Sequence, residues 1–267
     1  MKVLKFTGLV LLIIWGTARV MAQAPMRVKL SNPAKPYKLN VELVLGTIRI
    51  SAYSGKEILI DADVQPPEKS QEAAPAGMKR LSKPEATSLT AQENNNEVNV
   101  SDRSGKLVNL TIKVPANAAS IRLKTTRGDI NVDDISSAFE IQSNVGAINV
   151  LNVSGSVVAN TDRGKLLVTF KAIDPKAAMA FSTFVGDVDI TFPAGLRANL
   201  KIKTEVGQAF SDFDMADDPS HSKPAPSEKN GKYQLTNDGW IYGKVAGGGP
   251  EILLKNTRGN IYIHRAK

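Results

Sequence analysis

The sequence predicts an all-β protein: a single-domain β-solenoid, β-helix-like, of stacked 18–22-residue rungs with irregular loop excursions. Three observations predict it. A short phrase recurs, in which a Ser or Thr is followed two residues later by an arbitrary residue, then a Gly, then alternating apolar and polar positions. It reads TTRGDINV at 125–132, SNVGAINV at 143–150, TDRGKLLV at 161–168, TFVGDVDI at 183–190, TEVGQAFS at 204–211 and NTRGNIYI at 256–263, with an outlying LVLGTIRI at 43–50. Aligned on Gly46, Gly128, Gly146, Gly164, Gly186, Gly207 and Gly259, the positions two and four after the glycine are β-branched or apolar in nearly every copy, the period-two signature of a strand with one buried face. Before the glycine the apolar column sits at an odd offset (Val41, Leu123, Ile141, Ala159, Phe181, Ile202, Leu254), so each glycine marks a corner where the inward face is re-registered.

Units of this length cannot bury their own apolar face and stabilise one another by stacking. The column three before the glycine (Thr125, Ser143, Thr161, Thr183, Thr204, Asn256) then places one hydroxyl or amide per rung, able to bond its neighbours or the backbone at the bend. A β-sandwich of regular short strands is the alternative architecture.

In chain order, residues 1–22 read as a signal peptide. Lys2 and Lys5 precede the apolar run Leu9 to Trp15, which is too short to span a bilayer, and Val20-Met21-Ala22 offers small-residue cleavage. Cleavage there removes Lys2, Lys5 and Arg19 and no acid, lowering the formal net charge from +8. The mature domain, 23–267, is expected to be exported, periplasmic or at the cell surface, and soluble or peripherally attached. Cysteine is absent, which excludes disulfides and a lipidated cysteine anchor.

Strands alternate from Val28 to Val64, the Gly46 phrase among them, as an N-terminal extension or cap of the solenoid. Residues 65–97, rich in Pro, Ala, Glu, Lys and Asn, read as an exposed loop excursion. Strands resume at Val98–Val100 and Leu107–Val114 and lead into the repeat. A second excursion at 211–232 carries four Asp and three Pro. Trp240–Lys244 and Glu251–Leu254 read as strands around Gly247-Gly248-Gly249-Pro250. The last rung is expected to close the stack, with Arg258, His264, Arg265 and Lys267 discouraging further strand addition.

SGSVVANT (154–161), MAFSTFVGDVDITFPAGLRANLKIKTEVG (179–207), VNLTIKVPANA (108–118), SDFDM (211–215) and GGGPEILLKNTRGNIYI (247–263) together resemble the bacterial domain of unknown function 4097, which carries an adhesin label. The resemblance covers nearly all of the mature chain and implies an exported β-solenoid of the bacterial envelope. It supplies no catalytic residues. Gly146-Ala147, Gly164-Lys165 and Gly207-Gln208 depart from the usual Gly-Asp-Ile rung and argue against a regular acidic, metal-binding ladder.

The residues point to no enzyme. His221 and His264 are the two histidines, and without cysteine a nucleophile–histidine arrangement has little to draw on. Lys165, Asp187, Asp129 and Arg163 could serve a polysaccharide-cleaving solenoid, but ordinary outward charges are the better reading, because nothing in the sequence groups them with substrate-binding aromatics. No cofactor is expected. Asp212, Asp214, Asp217, Asp218 and His221 are weak metal candidates against the plainer reading of a solvated acidic loop. Trp240, Tyr242 and Tyr262, with Phe184 and Phe210, are outward candidates for stacking on sugars, although packing under a loop is an equal alternative for Phe184 and Phe210. Gly247–Gly249 lacks a following Lys-Ser/Thr and reads as a turn rather than a phosphate loop. Export argues against nucleic acid. Envelope glycans, anionic surfaces or envelope proteins are the expected partners of a non-enzymatic adhesin or binding scaffold; a periplasmic accessory protein acting through a partner is the alternative, and a carbohydrate-active enzyme is disfavoured.

Overall fold

The computed structural model describes residues 25–64, 88–217, 225–229, 232–236 and 239–267, with 225–229 and 232–236 described by backbone alone. The signal-peptide expectation at 1–22 lies outside these residues. The described chain is strands and turns throughout, and the solenoid expectation holds. Each repeat places one strand before its glycine in a first wall and one strand after it in a second. Apolar side chains from both walls merge into one core.

Pairing within each wall is parallel and in register along the repeats. In the first wall Tyr37–Leu45 pairs with Ala118–Arg127, that strand with Ser136–Val145, and that in turn with the second half of Ile148–Arg163. Met179–Val185 follows. In the second wall Ile48–Tyr53, Ile130–Asp133, the first half of Ile148–Arg163, Leu166–Ile173 and Val188–Phe192 stack in the same order. The predicted parity switch is present: Leu123 and Thr125 before Gly128 are buried, and so are Ile130 and Val132 after it. The wider rungs are filled by Phe170, Phe181 and Phe192, with Phe170 and Phe192 stacked at 5.4 Å and Phe181 edge-on to both.

Glycine is required at the corner for two reasons. Its φ is +147° at Gly128, a region that L side chains rarely adopt, and a Cβ there would stand 2.0 Å from the carbonyl oxygen of Gly46. The hydroxyl column completes the corner. Ser143 donates to the Gly128 carbonyl oxygen (3.1 Å), Thr161 to Gly146 (3.0 Å), Thr183 to Gly164 (3.2 Å) and Thr204 to Gly259 (3.1 Å). Asn256 does the same through its amide, to Gly186 at 3.3 Å. Each side chain satisfies a carbonyl that the bend removes from the regular ladder.

The order of the last two rungs differs from the expectation. Glu251–Arg258 lies between Met179–Val185 and Ala198–Val206, and Ile261–Arg265 lies between Val188–Phe192 and Ala209–Ser211. The final segment is therefore inserted as the penultimate rung. Arg258, His264 and Arg265 do not guard an open edge. The end of the first wall is instead covered by Ile241–Val245, antiparallel to Ala198–Val206, and by Met215–Asp217, antiparallel to Ile241–Val245. In the second wall only the three-residue strand Ala209–Ser211 is terminal, and a short edge limits strand addition.

The Gly-Gly-Gly-Pro segment makes this insertion possible. It carries the chain from one side of Ala198–Val206 to the other, crossing its first residues. The Asn199 N–H donates to the Pro250 carbonyl oxygen (3.1 Å) and the Asn199 amide donates to that of Gly249 (2.7 Å). A Cβ on Gly249 would lie 2.3 Å from the Arg197 carbonyl oxygen. The turn reading is right, and the tight crossing is its cause.

The opposite end is capped by antiparallel strands: Thr90–Asn94 on Glu97–Asp102 in the first wall, and Glu57–Val64 then Met26–Lys29 beyond Val108–Pro115 in the second. The excursion expected over 65–97 is thus shorter, because Thr90–Asn94 is a strand; residues 65–87 lie outside the described part. The excursion over 211–232 likewise contains Met215–Asp217 and Ala225–Lys229, the latter in a hairpin with Lys232–Thr236. Tyr37 anchors the N-terminal end, its hydroxyl donating to the Pro115 carbonyl oxygen at 2.8 Å, and burial pushes its pKa up.

Candidate binding surfaces

The residue directly after the corner glycine has a structural task in three rungs. Asp129 Oδ1 accepts the Ala147 N–H (2.8 Å), Asp187 Oδ1 the Asn260 N–H (2.8 Å) and Asn260 Oδ1 the Gln208 N–H (3.0 Å). Each side chain caps the corner of the adjoining rung. Lys165 lies 3.0 Å from Asp189 instead, and Arg163 stands before its glycine on the other side of the corner. The four residues considered for polysaccharide cleavage are therefore not gathered around one point.

Asp212 is held by His264, whose Nδ1 is 3.2 Å from its Oδ2, and by the backbone N–H of Arg265. These two hydrogen bonds, the His264 one foremost, hold the Asp212 carboxyl below its ordinary value. His264 Nε2 also lies 3.6 Å from Asp189, so one imidazole bridges two rungs of carboxylates. Asp214 and Asp217 are exposed, and Asp218 and His221 lie outside the described residues. Among the described residues no group of three or more acidic or histidine side chains is placed to hold a metal ion.

The three aromatic candidates fall on two different walls. Tyr262 stacks on Phe210 at 5.5 Å and on His264 at 6.2 Å, making a short aromatic stripe on the outer face of the second wall. Trp240 and Tyr242 stand at the covered end of the first wall, ring centroids 6.5 Å apart. Lys201 Nζ lies 4.7 Å from the Trp240 centroid and 5.8 Å from that of Tyr242, and Lys203 Nζ lies 5.5 Å from Trp240. Lys203 is directly opposite Lys255 in the ladder. Among the described residues no carboxylate pairs with Lys201, Lys203 or Lys255. Beside them is a hollow of about 250 Å³ lined by Asn199, Lys201, Tyr242, Lys244 and Glu251.

These lysines were not among the sequence candidates. Their signal was the outward parity of Lys201 and Lys203 in LKIKT, but their neighbours Lys255 and Trp240 come from distant segments. A larger hollow of about 840 Å³ lies on the same wall toward the N-terminal end. Five of its charged side chains are paired: Arg103 and Lys124 with Glu42, and Arg122 with Glu140.

The family described as Toastrack, domain of unknown function 4097, matches residues 33–263. The chain is a Toastrack protein. No curated protein matches it. Among solved structures, a Clostridium sporogenes protein described as a "putative cell adhesion protein" is similar at 13% identity, with a TM-score of 0.48 over 91% of this chain and 100% of the other. Within the described part of the Toastrack protein no helix is long and apolar enough to cross a membrane.

Proposed function

We propose that this Toastrack protein is a non-enzymatic, exported cell-envelope scaffold, periplasmic or surface-displayed, that binds envelope or surface glycans through the outer face of its first wall. The observation that carries this reading is the Lys203–Lys255 ladder pair, with the Lys203 ammonium over the Trp240 ring. Like charges directly opposed in a ladder cost stability; Lys203 stands beside an indole and a third cation, Lys201, and among the described residues no ion pair to a carboxylate relieves the three lysines. An anionic ligand would relieve this like-charge contact, and a sugar ring suits the neighbouring indole.

The engagement of Asp129 and Asp187 in corner capping argues against the carbohydrate-cleaving alternative, because those carboxylates would have to leave the backbone to act on a substrate. A periplasmic accessory role through a protein partner is the second reading. It is favoured by the broad hollow of alternating charge bounded by Glu42, Arg122 and Glu140.

The test is retention on immobilised acidic and neutral glycans, comparing the natural chain with Lys201→Ala/Lys203→Ala and Trp240→Ala. Selective loss in the variants supports the reading, and equal retention overturns this face as the contact. Protease shaving of intact producing cells decides between the periplasm and the surface.

A further inference from the structure

One exposed column changes character when read in spatial order. The residue immediately before each corner glycine runs Leu45, Arg127, Val145, Arg163, Val185, Arg258, Val206 along the stack, each directly in register with the next. Arginine and an aliphatic residue alternate without a break. In chain order the alternation fails, since Val185 and Val206 are consecutive; the inserted rung places Arg258 between them.

The surroundings are those of a contact surface. Arg127, Arg163 and Arg258 are exposed, and none has an ion-pair partner among the described residues, whereas Arg103 and Arg122 on the same wall are paired. The intervening aliphatic side chains are also exposed, Val206 by 63%, and Phe184 in the adjoining column by 54%. Five of the ten large exposed hydrophobic residues of the described chain, Val44, Val145, Phe184, Val185 and Val206, lie in these two columns. Adjacent rungs are about 4.8 Å apart, so the guanidinium groups recur about every 9.5 Å along a straight ridge.

We propose that this ridge binds a linear acidic polysaccharide lying parallel to the stack axis, with a carboxylate on every second sugar. This rests on the reading of the protein as a glycan-binding scaffold and assigns a second, separate contact. Guanidinium groups take carboxylates bidentately. Valines and Phe184 between them meet the C–H faces of the intervening sugars, and Thr126, Asn144, Asp162 and Thr257 in the next column are partners for hydroxyls. A flat anionic membrane fits less well. It would press Asp129 and Asp187, on the far side of the corner, against its headgroups, whereas a single polymer strand reaches only the ridge and the column beside it.

The experiment measures binding of hyaluronan oligosaccharides, which bear one carboxylate per disaccharide, to the full exported chain, with dextran as the neutral polymer and phosphatidylglycerol vesicles as the anionic surface. Single Arg127→Gln, Arg163→Gln and Arg258→Gln substitutions are expected to weaken hyaluronan binding roughly 2- to 5-fold each, as for exposed charge pairs, and the triple variant on the order of 30-fold. Arg122→Gln, on the same wall, should change it less than about 2-fold. All are exposed, so unfolding temperatures should match the natural chain. Unchanged binding by the triple variant overturns the ridge. If the Lys201/Lys203 variant alone loses binding, the scaffold reading stands without it; if the natural chain retains neither glycan, both fall. Competition by dextran, or binding to vesicles in preference to hyaluronan, also overturns the assignment.

Discussion

The Thr161 hydroxyl, on a fully buried side chain, donates to the carbonyl oxygen of the half-buried Gly146, 3.0 Å away in the adjacent rung. Thr161→Val keeps the shape and leaves that carbonyl without its donor. It should lower stability by about 1 to 2 kcal/mol, whereas Thr161→Ser, which loses one buried methyl, should cost about 0.8 kcal/mol or less. Denaturant unfolding of the two variants checks the order.

The Asn256 side chain occupies the same column less well. Its Nδ2 donates to the Gly186 and Asn260 carbonyl oxygens, but its Oδ1 is buried with no hydrogen-bond partner. Asn256→Thr is expected to raise stability by about 1 kcal/mol by removing the orphaned acceptor. A lower unfolding temperature would mean that the bond to Asn260 outweighs it.

Corner glycines and loop glycines should respond differently to a methyl group. Gly128→Ala drives a Cβ into the Gly46 carbonyl at an unfavourable φ and should cost about 3 kcal/mol or more. Around Gly195 the space is open, so Gly195→Ala should stay within about 0.5 kcal/mol of the natural chain. Similar thermal shifts in both would contradict the stacking geometry.

Val188 and Asp189 face opposite sides of one strand. Val188 is fully buried, and Val188→Asp should destabilise by on the order of 4 kcal/mol. Asp189→Ser loses the contacts to Lys165 and His264 on the outer face and should cost about 1 kcal/mol or less. Circular dichroism melts of the pair measure the difference.

Acidification should be felt at Asp212. Its carboxyl is held below the ordinary aspartate value in the folded protein, chiefly because of the His264 hydrogen bond and then the Arg265 N–H. The sign follows: its contribution is present above the unfolded value and is lost as pH falls through the lower folded one. Asp212→Asn should therefore flatten the acid limb of a plot of unfolding temperature against pH, recorded over roughly pH 2 to 6. An unchanged limb would show that the His264 contact does not persist in solution.

The column logic was legible because burial alternates within a strand and depends on local sequence alone. Ile148, Val150 and Thr161 could be placed inward from the phrase, and Gly146 at the bend, without knowing what lay beside them. The lysine and aromatic face was only half legible. Trp240 and Tyr242 stood out as outward aromatics, but Lys201 and Lys255 are surface lysines until the pairing of three strands brings them together. The excursions were drawn too wide because Thr90–Asn94 is polar, and an antiparallel cap strand needs only one half-buried face.

The sequence by itself determined the rung: which residues face inward, where the chain bends, and why glycine and a hydroxyl must stand where they do. These follow from sterics and hydrogen bonding within one repeat and its nearest neighbours. The tertiary structure alone decided the order of the rungs. Chain order would put the Gly259 rung last, yet its Ile261 and Ile263 are buried, whereas Ala209 and Ser211 of the Gly207 rung stand half-buried and exposed at the edge. Their order is set by the antiparallel pairing of Ile241–Val245 with Ala198–Val206 and by the glycine crossing over Arg197–Asn199. That long-range closure inserted Arg258 between Val185 and Val206 and made a continuous ridge from residues that the linear sequence leaves out of step.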